Sequence, residues 1–150
     1  MNKIAVKRLL PNETGELLQL LKIFTSGDNQ VNNRIYPSEL YLEFFLQNKK
    51  NHVVVATINN MIIGGLTAYE IEMYKNETSE MFLFEIDVGE NYRQQGVGTL
   101  LIQKQKDVCT QQNIKQIFVI ASRGNYPALK LYNTTGGKGD IESILFNYIL

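Results

Sequence analysis

Histidine and cysteine are almost missing from this chain: His52 and Cys109 are the single examples of each. One thiol cannot form an internal disulfide, which fits a reducing cytosol. Cys109, on a helical stretch, reads as a small buried hydrophobe. One histidine supports neither a histidine metal cluster nor an obvious Cys–His pair, and no metal is implied. Charge of one sign is lacking too. Fifteen Lys and Arg balance fifteen Asp and Glu, so no global field favours nucleic acid or an anionic membrane. No run approaches the ~18 apolar residues of a membrane span, and Met1 to Leu10 lacks the apolar core of a secretory signal. The expectation is a cytoplasmic protein of one domain, residues 1–150, large enough to bury a core.

What is present centres on Glu85 to Leu101, E-I-D-V-G-E-N-Y-R-Q-Q-G-V-G-T-L-L. An apolar strand, Met81 to Val88, runs into a polar turn with Arg93, Gly96 and Gly98, which opens an amphipathic helix. Such a turn is a natural anion cradle, because a helix start has unpaired N–H groups and partial positive charge. Glycine lets the backbone approach a ligand, and Thr99 can use its hydroxyl in the first turn. Two phosphate motifs are excluded. No Lys follows the second glycine, as a Walker loop needs, and Gly98 is followed by Thr99-Leu100-Leu101 rather than by a dinucleotide fingerprint. An ordinary strand-to-helix turn stays open beside the anion cradle.

Along the chain, Ile4 to Leu9 predicts a strand. Pro11 to Thr14 opens a helix with Leu17, Leu20, Leu21 and Phe24 on one face. Ser26 to Tyr36 predicts a loop. Pro37-Ser38-Glu39 opens a second helix, whose stripe of Leu40, Tyr41, Phe44 and Phe45 reads as core. Val53 to Ile58, the turn Asn59-Asn60, Met61 to Glu72 with a bulge at Gly64-Gly65, and Glu80 to Val88 predict an antiparallel run. The helix from Gly98 to about Gln112 turns Leu101, Gln105 and Val108 inward. Ile117 to Ala121 reads as a buried strand, Asn125 to Thr135 as a short helix with Pro127 in its first turn, and Ile141 to Leu150 as a final strand.

The turn Arg93-x-x-Gly96-x-Gly98 resembles the acetyl-CoA pyrophosphate loop of the GCN5-related N-acetyltransferases. The order β-α-α-β-β-β-α-β-α-β is that family's order over essentially the whole chain. A second family motif is matched by Asn125-Tyr-Pro-Ala128-Leu-Lys-Leu131-Tyr132-Asn-Thr-Thr-Gly136. Leu66 to Val88, with R-G-N-Y-P-A-L-K-L-Y-N-T-T-G, resembles the aminoglycoside 3-N-acetyltransferase group. The resemblance implies an α/β fold with a mixed, mostly antiparallel sheet, helices on both faces, and a strand pair splayed to receive acetyl-CoA. It implies that backbone groups of Ile86 and Val88 pair with the cofactor's pantetheine arm. Amides from Arg93, Gln94, Gln95, Gly96, Val97, Gly98 and Thr99 then wrap the pyrophosphate, with Asn125 also at the cofactor.

The same resemblance makes Tyr132 the general acid near the CoA sulfur, with a packing tyrosine as the other reading, and the Val88 N–H a donor to the thioester carbonyl. Glu85 stands where the aminoglycoside group has aspartate and is the candidate base. Asp87 shares its face by strand alternation, where the group typically has alanine; this leaves the base, the regiochemistry and the acceptor open between the two carboxylates.

Charge separates along the chain. Residues 70–90 hold seven acids against Lys75 alone, while residues 91–150 hold seven Lys or Arg against three acids. An acidic acceptor side suits a polyamine, and a basic side suits anionic CoA; solvation of an outer face is the alternative. Asp140 and Glu142 are further acceptor candidates. The expected activity is acetyl transfer from acetyl-CoA to a primary amine of an aminoglycoside or similar polyamino compound. The alternatives are an acetyltransferase for protein or peptide amines or for polyamines, and a non-catalytic CoA-binding module. A homodimer is expected through the apolar end of the chain.

Overall fold

Alternation in the first part of the chain becomes a single sheet with strands in chain order. The computed structural model describes residues 3–27 and 34–150, so the expected loop lies partly outside the described residues. The chain divides into two compact units, residues 1–120 and 121–150.

In the first unit, β1 (Ala5–Arg8), β2 (Asn51–Ile58), β3 (Met61–Met73) and β4 (Thr78–Val88) pair antiparallel. β5 (Ile117–Val119) adds in parallel to β4. The β2–β3 hairpin closes through Asn59 and Asn60, both at positive φ, as a two-residue turn of this kind requires. Among the described residues of this unit, three α-helices accompany the sheet: α1 (Thr14–Phe24), α2 (Glu39–Gln47) and α3 (Val97–Gln111).

Strand parity assigns the faces. Val53 and Val55 of β2 pack with Leu17 and Leu20 of α1 and Leu42 and Leu46 of α2. Their neighbour His52 points the other way and bonds Gln105 of α3. Helices therefore cover both faces. Gly65 is needed where α1 lies closest: a Cβ there would come within 2.7 Å of both the Leu20 side chain and the Val54 carbonyl. The bulge expected near this glycine pair is present, since Ala56 pairs with Gly64 and Thr57 with Ile62, leaving Ile63 as the extra residue.

On α3, Leu101, Gln105 and Val108 are buried as their spacing predicts. Of the α2 stripe only Phe45 packs against the core, and it is partly buried. Leu40, Tyr41 and Phe44 are exposed, because the helix turns Leu42 and Leu46 inward instead. β5 is shorter than expected and only half-buried, as befits an edge strand paired on one side.

The second unit holds α4 (Tyr126–Thr134), with Pro127 in its first turn and Gly136 at positive φ just past its end. The strand expected at Ile141 to Leu150 does not form; residues 143–150 have no regular structure and are exposed. A strand needs a partner for its N–H and C=O groups, and no strand lies in this unit to supply one.

Candidate active site

The end of β4 collects the first set of candidate side chains. Thr67 pairs with Glu85 whereas Ala68 pairs with Leu83, so Phe84 is an inserted residue and β4 bulges there. A bulge re-aims side chains. After it, Glu85 opposite Thr67 and Asp87 opposite Gly65 share the face that α1 and α2 cover. Burial, with the Asp87 carboxylate adding to it, raises the Glu85 pKa above the ordinary carboxylate value. A raised carboxylate is a better proton acceptor at neutral pH than a free one.

Beyond Leu83, β4 loses its parallel neighbour, because pairing with β5 stops at Leu83–Val119. The Gly89 N–H donates to Ile63 O on the β3 side (2.8 Å). Alternation of the ladder therefore turns the Val88 N–H to the opposite edge. There it donates to Asp87 Oδ1 (2.8 Å), while Arg93 Nε donates to Val88 O (2.9 Å) and Arg93 Nη2 lies 3.3 Å from Asp87 Oδ1. Both Val88 backbone groups thus have partners. The Arg93 side chain folds back as a clamp on the strand end, a role its place in the turn does not announce.

The turn continues through a short 3-10 segment, Glu90–Tyr92, then Gln94 at φ 58° and Gly96 at φ 81°. A Cβ on Gly96 would meet nothing within 4 Å, so glycine is required here for its backbone angle, not for space. The first α3 bond runs from Leu100 N–H to Gly96 O. The N–H groups of Val97, Gly98 and Thr99 are therefore the free donors of the helix start, and Gln94, Gln95 and Gly96 before them are exposed. An open strand edge beside a helix start fits a ligand that is amide-bearing in one part and anionic in another.

Sequence reasoning missed the rings beside Glu85. Tyr69 lies edge-on to both Phe45 and Phe84, and its phenol pKa is raised by burial, with Tyr41 and Glu85 contributing. The signal was the F-L-F before Glu85, but its meaning depends on the bulge.

In the second unit, Asn125 caps α4, its Oδ1 accepting from the Ala128 N–H at 3.2 Å. Tyr132 is half-buried and burial raises its phenol pKa. The Gly137 N–H closes onto Tyr132 O at 2.8 Å. Asp140 accepts from the Ser143 hydroxyl (2.6 Å) and the Glu142 N–H (3.0 Å), which lower its pKa.

The family model described as the acetyltransferase (GNAT) family matches residues 17–136. The chain belongs to the GNAT family. It is an acetyl-CoA-dependent N-acetyltransferase. A solved structure from an uncultured soil metagenomic sample, the aminoglycoside acetyltransferase meta-AAC0020 in complex with sisomicin, superposes with a TM-score of 0.90 at 27% identity, covering 98% of this chain and 96% of that one. A second soil metagenomic aminoglycoside acetyltransferase, HMB0005, gives 0.89 at 28% identity over 99% of each chain. The aminoglycoside N-acetyltransferase AAC(6')-Iy in complex with CoA gives 0.77 at 18% identity, covering 99% of this chain and 96% of that one, a likeness of GNAT fold alone. No helix among the described residues is long and apolar enough to cross a membrane.

Proposed function

We propose that the acceptor is an aminoglycoside or a similar polyamino compound. The observation that carries this is the pair Glu85 and Asp87 on one face at the open end of β4, an anionic site that selects a cationic amine. The likeness to the soil metagenomic aminoglycoside acetyltransferases supports the same reading.

Acetyl-CoA supplies an activated acetyl thioester. The chain's residues do the rest. The backbone of Ile86 and Val88 holds the arm of the co-substrate, once Asp87 and Arg93 yield the Val88 groups. The amides from Arg93 to Thr99 receive the pyrophosphate. Binding energy gathered this far from the reacting bond positions the thioester. Glu85, directly or through a water, takes the proton of the attacking amine as the C–N bond forms. The Val88 N–H donates to the carbonyl oxygen as it gains charge. Tyr132, from its place in the Asn125–Gly136 motif, gives its proton to the sulfur as the C–S bond breaks. We assign Asn125 to the co-substrate, and Asp140 and Glu142, which follow the motif, to the acceptor. We also propose a homodimer through the chain end, where Ile144, Phe146, Ile149 and Leu150 are exposed.

Thiol release from acetyl-CoA, followed across aminoglycosides, spermidine and basic peptides, tests the acceptor class. Turnover with aminoglycosides is expected. Turnover confined to peptides or linear polyamines contradicts the acceptor assignment and leaves the family activity in place.

A further inference from the structure

The sheet face that carries Glu85 also holds a connected row of rings. Phe45 meets Tyr69 edge-on (centroids 6.1 Å apart), and Tyr69 meets Phe84 (5.8 Å). Phe84 in turn meets Phe82 edge-on (5.9 Å), and Phe82 stacks on Phe118 (4.9 Å, 11° between planes). Rings so connected normally belong to a core, yet Phe84 is 58% exposed. It is the residue that the bulge adds to β4, next to Glu85 in sequence. Its ring is held by Tyr69 and Phe82 and still presents surface to solvent. Tyr41, one helical turn before Phe45, is exposed as well and lies near enough to act on the Tyr69 phenol.

We propose that the exposed face of Phe84, braced by Tyr69 and Phe82, is a stacking platform for a ring of the acceptor and makes the enzyme prefer cyclic amino sugars to linear polyamines. This inference rests on the acceptor reading above and deepens it. Glu85 and Asp87 attract any polyamine by charge. An amino sugar adds a flat face of C–H groups that covers an aromatic ring. A linear chain has no such face. The platform is held in advance by its neighbours, so little side-chain freedom is lost when a ligand lands.

The test compares the wild type with Phe84→Ala and Phe84→Tyr, using sisomicin and spermidine as probes, both in calorimetric binding and in steady-state acetylation. Phe84→Ala is expected to raise the sisomicin Kd and KM about tenfold, leaving spermidine binding, the KM for acetyl-CoA and kcat near their wild-type values. Phe84→Tyr keeps the ring and restores sisomicin binding. Phe84→Ala with unchanged sisomicin affinity, or with equal weakening toward both probes, overturns the platform. Binding needs no turnover, so the two readings separate. Wild-type protein that binds sisomicin without acetylating it contradicts the acceptor reading, while a selective loss in Phe84→Ala still supports the platform. Acetylation of sisomicin with affinity indifferent to Phe84 does the reverse. Wild-type protein that does not bind sisomicin overturns both.

Discussion

Glu85 has its pKa raised by burial first and by Asp87 second, and this sets a pH signature. If Glu85 is the base, kcat/KM falls on the acid side through an apparent pKa above the ordinary glutamate value. Asp87→Asn removes the second cause and moves that limb to lower pH; a pH–rate profile that stays in place contradicts the coupling. His52 gives a separate acid effect, on stability. It is fully buried with Nε2 unpartnered, and burial, with the Arg8 charge adding to it, lowers its pKa to about 4. The unfolded chain takes up this proton near pH 6.5 and the folded chain only near 4. Stability present above pH 6.5 is therefore lost as pH falls through that window, by up to ~3 kcal/mol. Thermal melts between pH 7 and 4 should show this slope, and His52→Leu should flatten it.

Among the elements, the glycine turn and the α1 contact are the most exacting. Gly96→Ala places a side chain at φ 81°, a strain of ~1–2 kcal/mol at the helix start, and the KM for acetyl-CoA is expected to rise with little change in acceptor KM. Gly65→Ala drives a methyl into Leu20 and the Val54 carbonyl. Leu20 can shift but the backbone oxygen cannot, so a loss of ~1–3 kcal/mol is expected in denaturant unfolding; an unchanged midpoint contradicts the packing described. These two glycines also show how much was legible in advance. Both were marked by sequence, one as a bulge beside a strand and one as a turn before a helix. The antiparallel run of β2, β3 and β4, the Asn59-Asn60 turn and the inward face of α3 followed from local pattern. The inward face of α2 did not, because Leu40, Tyr41 and Phe44 match the helical period as well as Leu42 and Leu46 do. Only packing on Val53 and Val55 decides between them. The Phe84 insertion was out of reach because it depends on pairing register, and the Arg93 clamp because it depends on how the turn folds back onto Val88 and Asp87.

Across the whole chain, the seven acids of residues 70–90 do not gather at the open end of β4: Glu70, Glu72 and Glu80 sit in the half of the β3–β4 hairpin near its turn, whereas Glu85 and Asp87 stand at the far end. The last ten residues have the apolarity of a strand, but apolarity does not provide a pairing partner. Their exposed Ile144, Phe146, Ile149 and Leu150 are the basis of the proposed dimer. Sedimentation should give twice the chain mass for the full protein and the single mass once residues 141–150 are removed; a monomeric full chain contradicts the dimer. Acetyl transfer to a polyamino acceptor with Glu85 as base is tested by kcat for acetyl-CoA-dependent acetylation of sisomicin in wild-type and Glu85→Gln protein. A fall of ~10²–10⁴ in kcat with acetyl-CoA still bound is predicted, and equal rates in the two proteins would contradict it.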